Sequence, residues 1–172
     1  MEIKKILSPN VSSRDGNAVD MIIIHSASLP EGVYGNGHIT DLFMNRLDIT
    51  AHPSFAELAG IEVSAHYLIE RDGAVIQFAD TDDKAWHAGI SNFRGRDNLN
   101  LYSIGIELEG DIHTQFTDNQ YEALIKLCKT LVSKYPLITK ESIVRHSDVA
   151  PERKEDPGRY FDLNRVVERI FA

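Results

Sequence analysis

The run Arg145-His146-Ser147-Asp148-Val149-Ala150-Pro151-Glu152-Arg153-Lys154-Glu155-Asp156-Pro157-Gly158 concentrates reactive side chains in one loop-forming stretch. His146 offers an imidazole, Asp156 a carboxylate ten positions later, and Lys154 an ammonium two residues before that carboxylate. Far upstream, the strand-like Met21-Ile22-Ile23-Ile24-His25 ends in a second imidazole. Two histidines and an aspartate suit a hydrolytic zinc whose fourth position is left to water. Plainer readings stand beside this one. A lone strand-end histidine is more often a hydrogen-bonded structural residue, and Asp156 could pair with Arg153 or Lys154.

Zinc-activated water needs a nearby carboxylate to take its proton and deliver it. Tyr102 to Glu109 alternates, with Ile104, Ile106 and Leu108 on one face and Ser103, Gly105, Glu107 and Glu109 on the other. Spacing alone leaves Glu107 and Glu109 both open, and simple solvation is the alternative for each. Gly105 promises room for a substrate beside Glu107. A lysine ammonium such as Lys154 can stabilise an oxyanion, and the Arg153 guanidinium can clamp a carboxylate. Trp86-His87-Ala88-Gly89 holds the only tryptophan, which reads as core or as a stacking wall for a sugar ring. Ser26 and Ser28 follow His25, but no Gly-x-Ser-x-Gly elbow surrounds any serine, so a serine triad is not expected.

These groups need a scaffold. Val19 to His25 reads as a strand buried on both faces. Residues 26–39 read as a loop, and 40–46 and 53–59 as short helices. Asp72-Gly73 between Val63–Glu70 and Ala74–Phe78 signals a hairpin. Thr117 and Gln120 form a capping box, after which apolar residues recur at helical spacing until Pro136. Ile143 to His146 reads as a last strand, and Asp162 as the cap of a final helix. Strands and helices interleave, so the expected class is α/β (α+β), a mixed central β-sheet flanked by helices.

The 172 residues suffice for one domain, 1–172, with residues 1–18 as a polar N-terminal arm. A net charge of −8 argues against a nucleic-acid partner. The single cysteine, Cys128, asks for no oxidising compartment and sits on the apolar face of the capped helix. No secretory leader or membrane span is expected, so the expectation is a cytoplasmic, monomeric protein without membrane insertion.

Taken together, several stretches resemble the zinc-dependent N-acetylmuramoyl-L-alanine amidases that share their fold with peptidoglycan recognition proteins. They are Ile22 to Pro30, Ala51 to Glu57, Val63 to Ile69, Ala85 to Gly89, Ser103 to Gly110 and His146 to Gly158. The likeness is greatest to the cytoplasmic branch that acts on 1,6-anhydro-muropeptides in peptidoglycan recycling. It implies that His25, His146 and Asp156 hold one Zn2+, and that Glu107, not Glu109, is catalytic together with Lys154. It further implies substrate contacts from Ser26, Trp86, His87, Ala88 and Arg153, and cleavage of the amide between the lactyl group of 1,6-anhydro-N-acetylmuramic acid and L-alanine. Two positions depart from the family pattern. Ser26 stands where asparagine is common, and Glu62 where an arginine suited to a peptide carboxylate often precedes Val63. Both bear on stem-peptide length and third-residue preference. The alternatives are an amidase of intact peptidoglycan and a non-catalytic peptidoglycan-binding module.

Overall fold

The structure, a computed structural model, describes residues 2–172. Six strands make the main sheet: β1 (Ile3–Lys5), β3 (Met21–Ala27), β4 (Tyr67–Ile69), β5 (Val75–Gln77), β9 (Ser103–Glu109) and β10 (Ile143–Arg145). Their order is β1-β5-β4-β9-β3-β10. Two short antiparallel pairs lie outside it, β2 (Val11–Ser12) with β6 (Lys84–Ala85) and β7 (Asn92–Phe93) with β8 (Arg96–Asp97). Four α-helices complete the described chain: α1 (His38–Phe43), α2 (Asp118–Lys134), α3 (His146–Val149) and α4 (Leu163–Ile170).

All pairings in the main sheet are parallel except β4 with β5. That pair is the hairpin signalled by Asp72-Gly73. Gly73 takes φ 89°, and the Asp72 carboxylate accepts from the Ala74 amide at 2.8 Å. A left-handed residue in so tight a turn favours glycine.

The central strands β3 and β9 carry different cargo on their two faces, as the two-residue repeat of a strand dictates. Ile22, Ile24, Ile104, Ile106 and Leu108 join Leu124, Cys128 and Val166 of α2 and α4 in the largest apolar core. The capping box at Thr117 forms as expected, and Gln120 also donates to the Ile69 and Glu109 carbonyls, tying α2 to the sheet. On the opposite face, Met21 and Ile23 pack with Ala88, Leu99, Val144 and Val149. This second face of β9 is not solvated. Loops cover it, and every residue from Ser103 to Glu109 is buried.

Three expectations need revision. The N-terminal arm does more than lead into the first long strand, because its described residues include β1, which pairs with β5 at the sheet edge, and the buried Arg14. The Arg14 guanidinium donates to the carbonyls of Thr81, Asn100, Leu101 and Ser103. The segment Pro53–Leu58 is a 3-10 helix, started by the His52 ring, which accepts from the Ser54 amide. Finally, strand β10 ends at Arg145, and His146 opens the short helix α3. The Asp148 carboxylate accepts the Arg145 amide at 2.8 Å and turns the chain out of the sheet.

Candidate metal centre and active-site groove

The parallel register of β3 with β9 sets His25 directly across from Glu107. Strand β10 on the other side of β3 delivers His146 at the start of α3. The loop after α3 then folds back. Lys154 donates its amide to the Ala150 carbonyl at 2.9 Å, and Ser147 donates its amide to the Asp156 carbonyl at 3.0 Å. Gly158 permits the return, since a Cβ there would meet Ile112 Cα at 2.7 Å. Asp156 is thereby carried to His146 rather than to its basic neighbours in sequence.

The donor atoms converge. His25 Nδ1 lies 3.0 Å from His146 Nδ1, His146 Nδ1 3.1 Å from Asp156 Oδ2, and His25 Nδ1 3.6 Å from the same oxygen. Among the described residues, this is the group of His, Cys and acidic side chains that could hold a metal ion. Tetrahedral zinc with bonds of about 2.0–2.1 Å has ligand-to-ligand edges of about 3.3–3.4 Å, which these separations bracket. Proton placement agrees. His146 Nε2 lies 3.2 Å from the Ala88 carbonyl, which can only accept, so Nε2 carries the proton and Nδ1 presents a lone pair. Burial pushes the His25 imidazole down to about 4, keeping it neutral. Two imidazole nitrogens and a carboxylate oxygen crowded this closely fit a cation, and the residues present fit zinc.

Glu107 is buried beside this triangle, with its carboxyl well above the ordinary value. Burial is the main cause, the Asp156 charge adds to it and the Lys154 charge opposes it. Two hollows flank the triad and share Ser26, Ala27, Lys154 and Asp156, so they form one groove. One half is walled by apolar groups such as Leu29, Ile39, Phe43, Leu58 and Trp86, and the other is edged by Ser28, Glu31, Asp111, Arg153 and Glu155.

The residues expected to touch substrate fall into different places. Trp86 lines the apolar half while its indole N–H donates to Ser12 Oγ at 3.0 Å. Ser26 lies between the halves, with its amide toward Asp156 and its buried hydroxyl without a protein partner. Arg153 is exposed on the polar rim, but one terminal nitrogen is spent on the Ala88 and Ile90 carbonyls. Ala88 has no exposed surface, so its side chain cannot line a groove. It packs in the core while its carbonyl receives both His146 and Arg153. His87 faces the groove in part, but its ring nitrogens reach His25 and Ser103. The room that Gly105 leaves is filled by the His87 ring rather than by substrate, since a Cβ there would lie 2.5 Å from the imidazole. Glu62 is exposed at the rim of a neighbouring hollow with Leu42 and Ile61. Sequence reasoning placed Gly105 beside substrate rather than against His87, and gave Ser103 and Arg14 no role. The one signal for them was a glycine interrupting an otherwise apolar strand.

Known proteins resemble this chain over nearly its whole length. Residues 15–159 match the N-acetylmuramoyl-L-alanine amidase family. The 1,6-anhydro-N-acetylmuramyl-L-alanine amidase AmpD of Haemophilus influenzae is 44% identical over 170 residues, covering 98% of this chain and 92% of that one. A crystal structure of a selenomethionine AmpD derivative superposes with a TM-score of 0.94 at 41% identity, covering 98% of this chain and 94% of the other. The Escherichia coli amidase AmiD, solved with anhydro-N-acetylmuramic acid-L-Ala-D-γ-Glu-L-Lys, gives a TM-score of 0.66 at 28% identity over 95% of this chain and 60% of that one. This chain belongs to the N-acetylmuramoyl-L-alanine amidase family.

Proposed function

We propose that this protein hydrolyses the amide between 1,6-anhydro-N-acetylmuramic acid and the L-alanine of the stem peptide, acting on recycled muropeptides in the cytoplasm. The observation that carries the reading is the convergence of His25, His146 and Asp156 beside the buried carboxyl of Glu107. His25, His146 and Asp156 would hold zinc, which when bound supplies a water acidified to a pKa of about 7 and a Lewis acid for the carbonyl.

Glu107 takes the proton of the attacking water and hands it to the departing amine of L-alanine. Burial, which raises its carboxyl above the ordinary value, favours the protonated form that the transfer to the amine needs. The Lys154 ammonium, in the groove wall next to Asp156, is placed to stabilise the negative oxygen of the tetrahedral species. Trp86 and the apolar half of the groove accommodate the sugar, and the free nitrogens of Arg153 face the peptide half.

The test offers purified anhydro-N-acetylmuramoyl tripeptide and intact sacculi side by side, with products identified by mass spectrometry. Release of free tripeptide from the soluble substrate is expected. Preferential digestion of sacculi would replace the substrate assignment, and no cleavage of either by the zinc-loaded protein would leave a binding module.

A further inference from the structure

We propose that His87 is a positioning residue of the metal centre: supported by Ser103 and cradled over Gly105, it fixes the tautomer and ring orientation of His25. The inference rests on the zinc reading above and adds a residue to it.

Proton direction follows from one fixed end. The Leu99 carbonyl can only accept, and Ser103 Oγ lies 2.7 Å from it, so the hydroxyl proton points there. Ser103 Oγ therefore turns a lone pair to His87 Nε2 at 3.2 Å, and Nε2 carries that ring's proton. His87 Nδ1 is then an acceptor, 2.9 Å from His25 Nε2. That contact requires His25 to hold its proton on Nε2 and to present a bare Nδ1 to His146 and Asp156. With the order reversed, the proton of His25 would sit on Nδ1, inside the triangle of donor atoms.

The placement of the ring is independently constrained. Gly105 lies in regular strand without a positive φ, so its backbone does not demand glycine. Space does. A Cβ at Gly105 would come within 2.5 Å of both Cγ and Nδ1 of His87. From below, the Asn100 side-chain oxygen accepts from the amides of His87 at 3.2 Å and Ala88 at 2.8 Å. The ring meets His25 edge-on, with centroids 5.0 Å apart. Groups that orient a ligating histidine through its second nitrogen typically contribute about 10–100-fold in metal affinity.

The test measures zinc affinity by competition with a chelator of known strength, checking the fold of each variant by its amide NMR spectrum. Failure of the wild-type protein to bind zinc overturns the metal reading, and this inference with it. If the wild type binds, His87→Leu is expected to lose about 10–100-fold in affinity. His87→Asn, whose side-chain oxygen can replace Nδ1 as acceptor, should recover most of that loss. Gly105→Ala should weaken binding comparably with His87 intact. Wild-type affinity in His87→Leu or Gly105→Ala, or an Asn variant no better than Leu, overturns the proposal while leaving the metal reading in place. Should the variants fail to fold, 15N-histidine NMR of the zinc-loaded wild type decides. Protons on Nε2 of both His25 and His87 support it, and a proton on Nδ1 of His87 overturns it.

Discussion

At the scale of single residues, the two acids on β9 divide cleanly although their sequence positions look alike. Alternation puts Glu107 and Glu109 on one face, and nothing in their spacing separates them. The structure does. Glu107 is buried against Asp156 and Lys154, whereas the Glu109 oxygens accept from the Gly35 amide at 2.5 Å and the Arg71 amide at 3.2 Å. Glu109 anchors a loop. Glu107→Gln, close in shape but unable to relay a proton, is therefore expected to lose about 10²–10⁴-fold in turnover while binding zinc like the wild type. Amidase assays run beside zinc quantification check this. Glu109→Ala should do the opposite, lowering stability by about 1–3 kcal/mol for each amide left unpaired with turnover of the folded fraction retained. Thermal unfolding and initial rates measured together distinguish the two outcomes. The closeness of His25, His146 and Asp156 was legible because two histidines that close apolar segments and a loop aspartate are an unusual combination. The role of His87 was not, since a hydrogen bond between two rings leaves no mark in spacing.

Among the elements, those with strong local chemistry were the legible ones. The Asp72-Gly73 hairpin and the α2 capping box each satisfy backbone groups within a few residues of sequence, so short-range pattern sufficed. Strand β1 was illegible for the converse reason. Ile3-Lys4-Lys5 carries little apolar signal, as suits a sheet edge where lysine discourages further pairing, and only β5 defines it. The same logic gives magnitudes. Thr117→Ala removes a side chain that accepts from the Gln120 amide, and should cost about 1 kcal/mol. Leu124→Ala empties a fully buried position between α2 and the sheet, and should cost about 2–5 kcal/mol. Urea unfolding midpoints at fixed pH would measure both, and a loss at Thr117 exceeding that at Leu124 would contradict the packing described.

For the whole molecule, buried histidines tie stability to acidity. His66 has no exposed surface and accepts from the Gly105 amide at Nδ1. Burial pushes its imidazole down to about 3, despite the opposing bond to the Asp83 carbonyl. An unfolded histidine titrates near about 6.5. Between those values the unfolded chain holds a proton that the folded chain lacks, so stability is full above the window and falls as pH drops through it. The slope reaches about 1.4 kcal/mol per pH unit for one such group. In excess chelator, His66→Gln should be less stable than the wild type near neutrality yet lose less on acidification. A parallel decline in the two proteins would mean that His66 is not the source.

The register of β3 between β9 and β10 also bears on how the protein comes into being. His25, Glu107 and His146 lie far apart along the chain, and parallel strand pairs with long crossovers bring them together. Such non-local pairings close slowly, after local hairpins and helices. A nascent or half-formed chain therefore offers at most the local pair His146 and Asp156, and the three-donor site waits for His25 to be brought beside them by β3 and β10. In a refolding experiment, zinc capture should lag the appearance of sheet and keep pace with the final native signal. A metal held there would act as a seal on the finished sheet rather than as its seed.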